Sequence, residues 1–245
     1  MSTTATLAWR EFRFQRRMFW RNPSAAFFTF VLPLIFLVLI ASVFSLSQDD
    51  LNHFVPGIAG MAVMSATFIS LAYNITFIRE QGILKRIRGT PEPLGSYFGG
   101  VISNTIWNAV IQVAIIIVLG HLLYSVPWPR DWIEVVVITI IGVAAFASLG
   151  IAMAQAIPNF DSAPAYMNAI FLPLIFISGT FYSTDNLPRA IAAIASVLPL
   201  KHIIDGLYGA LVSGKGLQHH VPAIAVLIGW CVVGLFLAVR YFRWE

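Results

Sequence analysis

The chain has 245 residues, of which 58% are hydrophobic and only 11% charged, with a mean hydropathy of +0.81. An average soluble domain carries about 25% charged residues, and a globule of this size could not cover its surface with so few. A cytosolic enzyme, a nucleic-acid-binding domain and a disordered regulator are excluded, and an all-α integral membrane protein is expected.

Residues 1–22 are too charged to cross a bilayer. On a helix Arg10, Arg13, Arg17 and Arg21 share one face, with Trp9, Phe12, Phe19 and Trp20 in an adjacent arc that Arg16 interrupts. An interfacial helix is expected, cations toward phosphates and aromatics at the acyl boundary. The plainer reading is a charged segment that only sets orientation.

Six stretches hold the roughly 20 apolar residues that a crossing helix needs. The first, 25–46, is charge-free and longer than the roughly 7–15 residues of a cleavable signal core, so it is expected to stay in the membrane. The second, 54–78, is also charge-free and carries Ser70 and Asn74 one turn apart. The third, 94–126, is interrupted only by His121; its Ser96, Gly100, Asn104, Asn108 and Gln112 recur every four residues and form one face. Such a stripe either hydrogen-bonds neighbouring helices, with Gly95 and Gly99 allowing close approach and a candidate contact with a second copy, or lines a pathway. The fourth, 133–157, carries Glu134 at its start; the fifth, 163–184, and the sixth, 221–239, are clean. No acidic residue sits mid-span, which argues against a carrier driven through a buried carboxylate.

Two connections are not plain linkers. Residues 79–91 are expected to form a short amphipathic helix, with Ile83, Leu84 and Ile87 as an apolar stripe and Gly89-Thr90-Pro91 as its stop. The stripe suits docking on a partner or lying on anionic lipid. In 185–220, the apolar run 187–200 is too short to cross and is bounded by Pro188 and Pro199, so a re-entrant segment dipping back from outside is expected.

Orientation follows from the cations. Arg10, Arg13, Arg16, Arg17, Arg21, Arg79, Lys85, Arg86, Arg88, Arg240 and Arg243 fall on one side, against Arg130, Arg189, Lys201 and Lys215 on the other. The positive-inside rule puts both termini in the cytoplasm of a multi-pass protein, expected in a prokaryotic plasma membrane. The chain carries no recognisable catalytic motif. The near P-loop Gly209-Ala-Leu-Val-Ser-Gly-Lys-Gly216 lacks its Ser or Thr and is expected outside, away from nucleotide. The pair His219-His220 reads as exposed surface and the single Cys231 makes no internal disulfide, so no metal site is expected.

Three segments carry a family resemblance: the Arg-rich N-terminus ending in Trp20-Arg-Asn-Pro23; the stretch Arg79-Glu-Gln-Gly-Ile-Leu-Lys-Arg-Ile-Arg-Gly-Thr-Pro91; and Ile177-Ser-Gly-Thr-Phe-Tyr-Ser-Thr-Asp-Asn-Leu-Pro188 with Leu198-Pro-Leu-Lys-His-Ile-Ile-Asp-Gly206. Across essentially its whole length the chain resembles the ATP-binding-cassette (ABC) transporter type-2 permeases. The resemblance implies a six-span subunit that pairs with a second permease, identical or related, around a pathway in the membrane lipids. Two cytoplasmic ABC ATPase subunits would bind beneath, and ATP and magnesium would belong to them. Their contact would be the coupling helix: Arg79, Glu80, Gly82, Ile83, Leu84, Lys85, Arg86, Ile87 and Arg88, with the apolar stripe in a groove of the ATPase and the charges at its rim. Ser178, Gly179, Phe181, Tyr182, Leu187, Pro188, Pro199 and Asp205 would form the external re-entrant motif. The implied function is export of hydrophobic drugs or lipids. Export of a lipid-linked glycan is the alternative on the same fold, and a non-transporting membrane scaffold or assembly factor the alternative of another class.

Overall fold

The computed structural model describes residues 4–44, 46–89, 93–184, 188–213 and 220–242, and among these it is all helix and turn, without a strand. The helices are α1 (Thr4–Trp20), α2 (Pro23–Val43), α3 (Gln48–Met64), α4 (Ser70–Glu80), α5 (Ile83–Arg88), α6 (Leu94–Tyr124), α7 (Trp132–Ala154), α8 (Ala163–Ile177), α9 (Arg189–Ala195), α10 (Pro199–Tyr208) and α11 (Val221–Tyr241). The protein is an integral, multi-pass membrane protein.

The helix starts are written locally. Asn22 Oδ1 accepts from Ala25 N at 3.1 Å and Pro23 takes the first position of α2, where its missing N–H costs nothing. Ser47 and Asp50 close a reciprocal capping box on α3. Asp131 accepts from Ile133 N at 2.8 Å to open α7.

The central strut is α3 continued through a π-helical turn, Ser65–Ile69, into α4. Its 33 residues run about 50 Å at 1.5 Å per residue, well past the bilayer core. Every residue from Phe54 to Met64 is buried, so this span is wrapped by protein rather than lipid. Helix α2 lies at the periphery with most of its apolar side chains exposed. Helix α7 is mostly buried and packs on α4, α6, α10 and α11.

The last third departs from a plain row of crossings. Five helical segments are long and apolar enough to cross, namely α2, α3–α4, α6, α7 and α11. The stretch expected over 163–184 is helical only as α8, whose 15 residues span about 22 Å, short of a hydrocarbon layer of roughly 30 Å. It ends because Gly179, at φ +76°, reverses the chain. Next, α9 and the helix 199–213 are bent 85° against each other. The bend is pinned by Trp230, whose indole N–H donates to Val197 O at 2.7 Å. Helix α10 wedges between the struts: a Cβ at Gly60 would lie 2.8 Å from Ile204, and one at Gly142 would lie 2.4 Å from Ile203. Its backbone is therefore shielded by protein, the condition for broken helix at membrane depth.

Candidate functional site

At the end of the bundle that carries α5, the chain turns out of α4 through Gly82 in the left-handed region, φ +67°. Only glycine takes that conformation without strain. The six-residue α5 then folds back on the bundle. Leu84 is fully buried and clusters with Ile75, Ile78, Ile151, Ala154 and Ala238 from α4, α7 and α11. This corrects the expectation that Leu84 fills a groove of a partner: the groove it fills belongs to its own chain. Ile83 and Ile87 are half-buried, and Lys85 and Arg86 are exposed on the outer face. The side chain of Arg88 lies outside the described residues.

Arg79 and Glu80 also bond within their own chain. Arg79 is 8% exposed and sits on α4, where its guanidinium donates to Ala154 O at 2.8 Å and to Ile157 O at 2.5 Å. Ala154 O lies at the C-terminus of α7, where helix carbonyls lack intrahelical donors and the dipole is negative, and Ile157 O lies three residues past it in the connection to α8. Glu80 Oε2 accepts from Phe160 N at 2.7 Å. Both residues were expected at the ATPase contact; the buried Arg79 and the exposed Glu80 hold the connection between α7 and α8 at Ala154, Ile157 and Phe160.

The polar stripe of α6 faces α1 and α2. At Gly100 a Cβ would lie 2.5 Å from Glu11 Cβ, so the N-terminal helix packs directly on α6 through Ala8, Glu11 and Phe12 rather than resting on lipid alone. Gly99 faces Ala8 and a Cβ on Gly95 would meet nothing within 4 Å, so this chain's own α1 occupies much of the small-residue face. Asn108 and Gln112 are buried and Asn104 is half-buried. Gln112 Nε2 donates to Thr29 O at 2.5 Å. Thr29 lies four residues before Pro33, which cannot supply the i→i−4 N–H. The glutamine thus replaces a donor that the proline removed. Ser70 is exposed and Asn74 half-buried on α4, which packs on α7 and α8, so the two polar sets are not brought together.

This pairing predicts a non-additive result. Gln112→Leu leaves a carbonyl unpaired in apolar surroundings and should cost about 1–3 kcal/mol. In the Pro33→Ala background, where the restored backbone N–H of position 33 can bond Thr29 O, the same change should cost less than about 0.5 kcal/mol. Detergent melting of the four proteins checks this; equal costs in both backgrounds would refute the pairing.

At the opposite end, the turn after α8 and the outer halves of α3 and α10 enclose a polar pocket of about 280 Å³. Four residues of the expected external motif, Ser178, Gly179, Tyr182 and Asp205, line it, together with His53, Lys201 and Tyr208. Lys201 Nζ binds Asp205 Oδ2 at 2.8 Å and Thr184 Oγ1 at 3.0 Å. His53 stacks on Tyr208 with centroids 4.1 Å apart, and the buried Ser178 Oγ has no hydrogen-bond partner. Phe181 points inward against Phe54 and Phe176 instead. Pro188 precedes α9 and Pro199 opens α10; Leu187 lies outside the described residues.

Two further features lie elsewhere in the bundle. His220, expected exposed, is buried, with its Nε2 3.2 Å from the buried Glu134 Oε1; its neighbour His219 lies outside the described residues. A cavity of about 530 Å³ lies among α7, α8, α10, α11 and the π-helical turn. Phe146, Met153, Ile170, Leu174, Trp230 and Leu237 give it apolar walls, and Gln155 and Tyr241 contribute polar groups. Among the described residues no group of three or more His, Cys, Asp or Glu is placed to hold a metal.

Residues 3–212 match the family model described as ABC-2 type transporter. Among curated proteins, the chain is 26% identical to Nodulation protein J of Rhizobium meliloti over 76% of this chain and 70% of that protein. It is 34% identical to Nodulation protein J of Rhizobium leguminosarum bv. viciae, over 50% of this chain and 43% of that protein. It is 22% identical to the Inner membrane transport permease YadH of Escherichia coli K12, over 66% of this chain and 63% of that protein.

Proposed function

The chain belongs to the ABC-2 type transporter family and is the membrane permease of an ABC transporter, and from that premise we propose that it exports amphiphiles with a long apolar body, hydrophobic drugs or lipids. Members of this family are membrane subunits whose ATPase is a separate subunit, so the chain is not itself an enzyme. The proposed assembly has two permeases and two ATPases, with ATP and magnesium in the latter. The 11 to 4 cation asymmetry supports an orientation with both termini and α5 in the cytoplasm. The ATPase would then meet the exposed Lys85 and Arg86.

The observation that carries this reading is the cavity of about 530 Å³, whose walls suit an apolar chain while the exposed Tyr241 hydroxyl offers a hydrogen bond to a polar head. A second reading, export of a glycan-bearing lipid, draws on the outer polar pocket with its stacked His53–Tyr208 rings.

Reconstitution with the partner ATPase in proteoliposomes tests both. Leu174→Trp fills the cavity and should lower transport of a fluorescent phospholipid analogue about tenfold, with ATPase association unchanged. Unchanged transport would overturn the cavity as the substrate site. Movement of a glycolipid but not of the phospholipid analogue would select the second reading, and movement of neither would leave a scaffold.

A further inference from the structure

Three elements meet at the α5 end of the bundle: the α4–α5 corner, the C-terminus of α7 and the connection into α8. Arg79 supplies two donors, one to Ala154 O, which the end of α7 leaves open, and one to Ile157 O in the connection beyond it. Its burial and its two partners fix the guanidinium as a planar fork, which a lysine cannot reproduce. One residue on, Glu80 takes the amide of Phe160, and the Phe160 ring meets Phe77 edge-on at 5.4 Å and lies 6.4 Å from Tyr73. Asn159 Oδ1 then accepts from Ser162 N at 2.9 Å, so the same loop is wound directly into the first turn of α8. Leu84 shares an apolar cluster with Ile151 and Ala154 of α7.

The two carbonyls held by Arg79 flank Gln155 and Ala156, which line the apolar cavity, and α8 supplies Ile170 and Leu174 to the same cavity. We infer that Arg79 and Glu80 form an internal latch that carries displacement of α5 to α8 and so to the apolar cavity. The inference rests on the reading that an ATPase docks on α5. Arg79 and Glu80 are positioning residues: they touch neither nucleotide nor substrate, and they act by making α5 and the α7–α8 connection move as one body. A charge-assisted fork to backbone carbonyls resists separation better than apolar contact alone, which lets surfaces slide.

The test uses the full permease–ATPase complex in proteoliposomes, with a spin label at Lys85 or at the exposed Pro158 after Cys231→Ser. The variants are Arg79→Lys, Arg79→Gln, Glu80→Ala and Glu80→Gln. Copurification with the ATPase should stay within about twofold of wild type in all four. Transport per ATP hydrolysed should fall at least about tenfold in Arg79→Gln, less in Arg79→Lys and about threefold in Glu80→Ala. Glu80→Gln, which keeps an acceptor for Phe160 N, should recover most of it. The nucleotide-dependent distance change should persist at position 85 and vanish at position 158 in Arg79→Gln. Wild-type transport per ATP in both Arg79→Lys and Glu80→Ala, or an intact change at position 158 in Glu80→Ala, would overturn the latch, even where Arg79→Gln does not fold. Failure of the wild-type chain to retain any ATPase would sink the docking reading itself, which is a separate outcome.

Discussion

Leu84→Asp should fail to give a stably folded subunit, whereas Leu84→Met should melt like wild type. The leucine is fully buried among Ile75, Ile78, Ile151, Ala154 and Ala238. Truncating such a side chain to alanine costs about 2–5 kcal/mol, and an aspartate adds the desolvation of a carboxylate among apolar side chains. Against a total stability of roughly 5–15 kcal/mol for a typical domain, that change is decisive. Methionine keeps the volume and should cost less than about 1.5 kcal/mol. Size-exclusion profiles and melting in detergent, measured without any ATPase, report the outcome. A folded Leu84→Asp protein with normal melting that only loses the ATPase would move the side chain from its own bundle to the partner.

The same residue shows where reading the sequence reaches its limit. The apolar stripe Ile83, Leu84, Ile87 says that a face must be buried, and it carries no information on whose surface buries it. The crossings were more legible, because hydrocarbon demands long charge-free runs whatever the neighbours are. Over 163–184 the run stays charge-free throughout, but α8 ends at Ile177 and the backbone turns at Gly179, so helix length there is a conformational fact rather than a hydropathic one. Arg79 read as one cation of a charged cluster because its partners, the carbonyls of Ala154 and Ile157, are more than seventy residues away. Gln112 was half legible. Pro33 announces an orphaned carbonyl at Thr29, and a buried polar side chain somewhere had to answer it. The outer pocket drew four of its lining residues from the external motif, while His53, Lys201 and Tyr208 joined it only through the packing of α3 and α10.

With Leu84 and Arg79 turned inward and the exposed Glu80 taken up by the amide of Phe160, what α5 offers outward is Lys85 and Arg86, flanked by the half-buried Ile83 and Ile87. A docking face of that composition calls for acidic residues around a shallow apolar centre on the ATPase. Neutralising one rim cation should matter little: Lys85→Ala should slow association modestly and flatten its salt dependence. Reversing both is different, because like charges brought together at an interface cost several kcal/mol. The double variant Lys85→Glu/Arg86→Glu should weaken ATPase association at least about 100-fold, close to ~3 kcal/mol, and abolish transport. Its melting should stay at the wild-type value, since neither side chain supports the core. Pull-down at low and high salt separates the cases. If the face meets the ATPase, binding to the reversed permease should partly return when acidic residues on the ATPase surface are exchanged for lysine. If α5 instead lies on anionic lipid, reversal would loosen its membrane contact and leave ATPase association and transport intact.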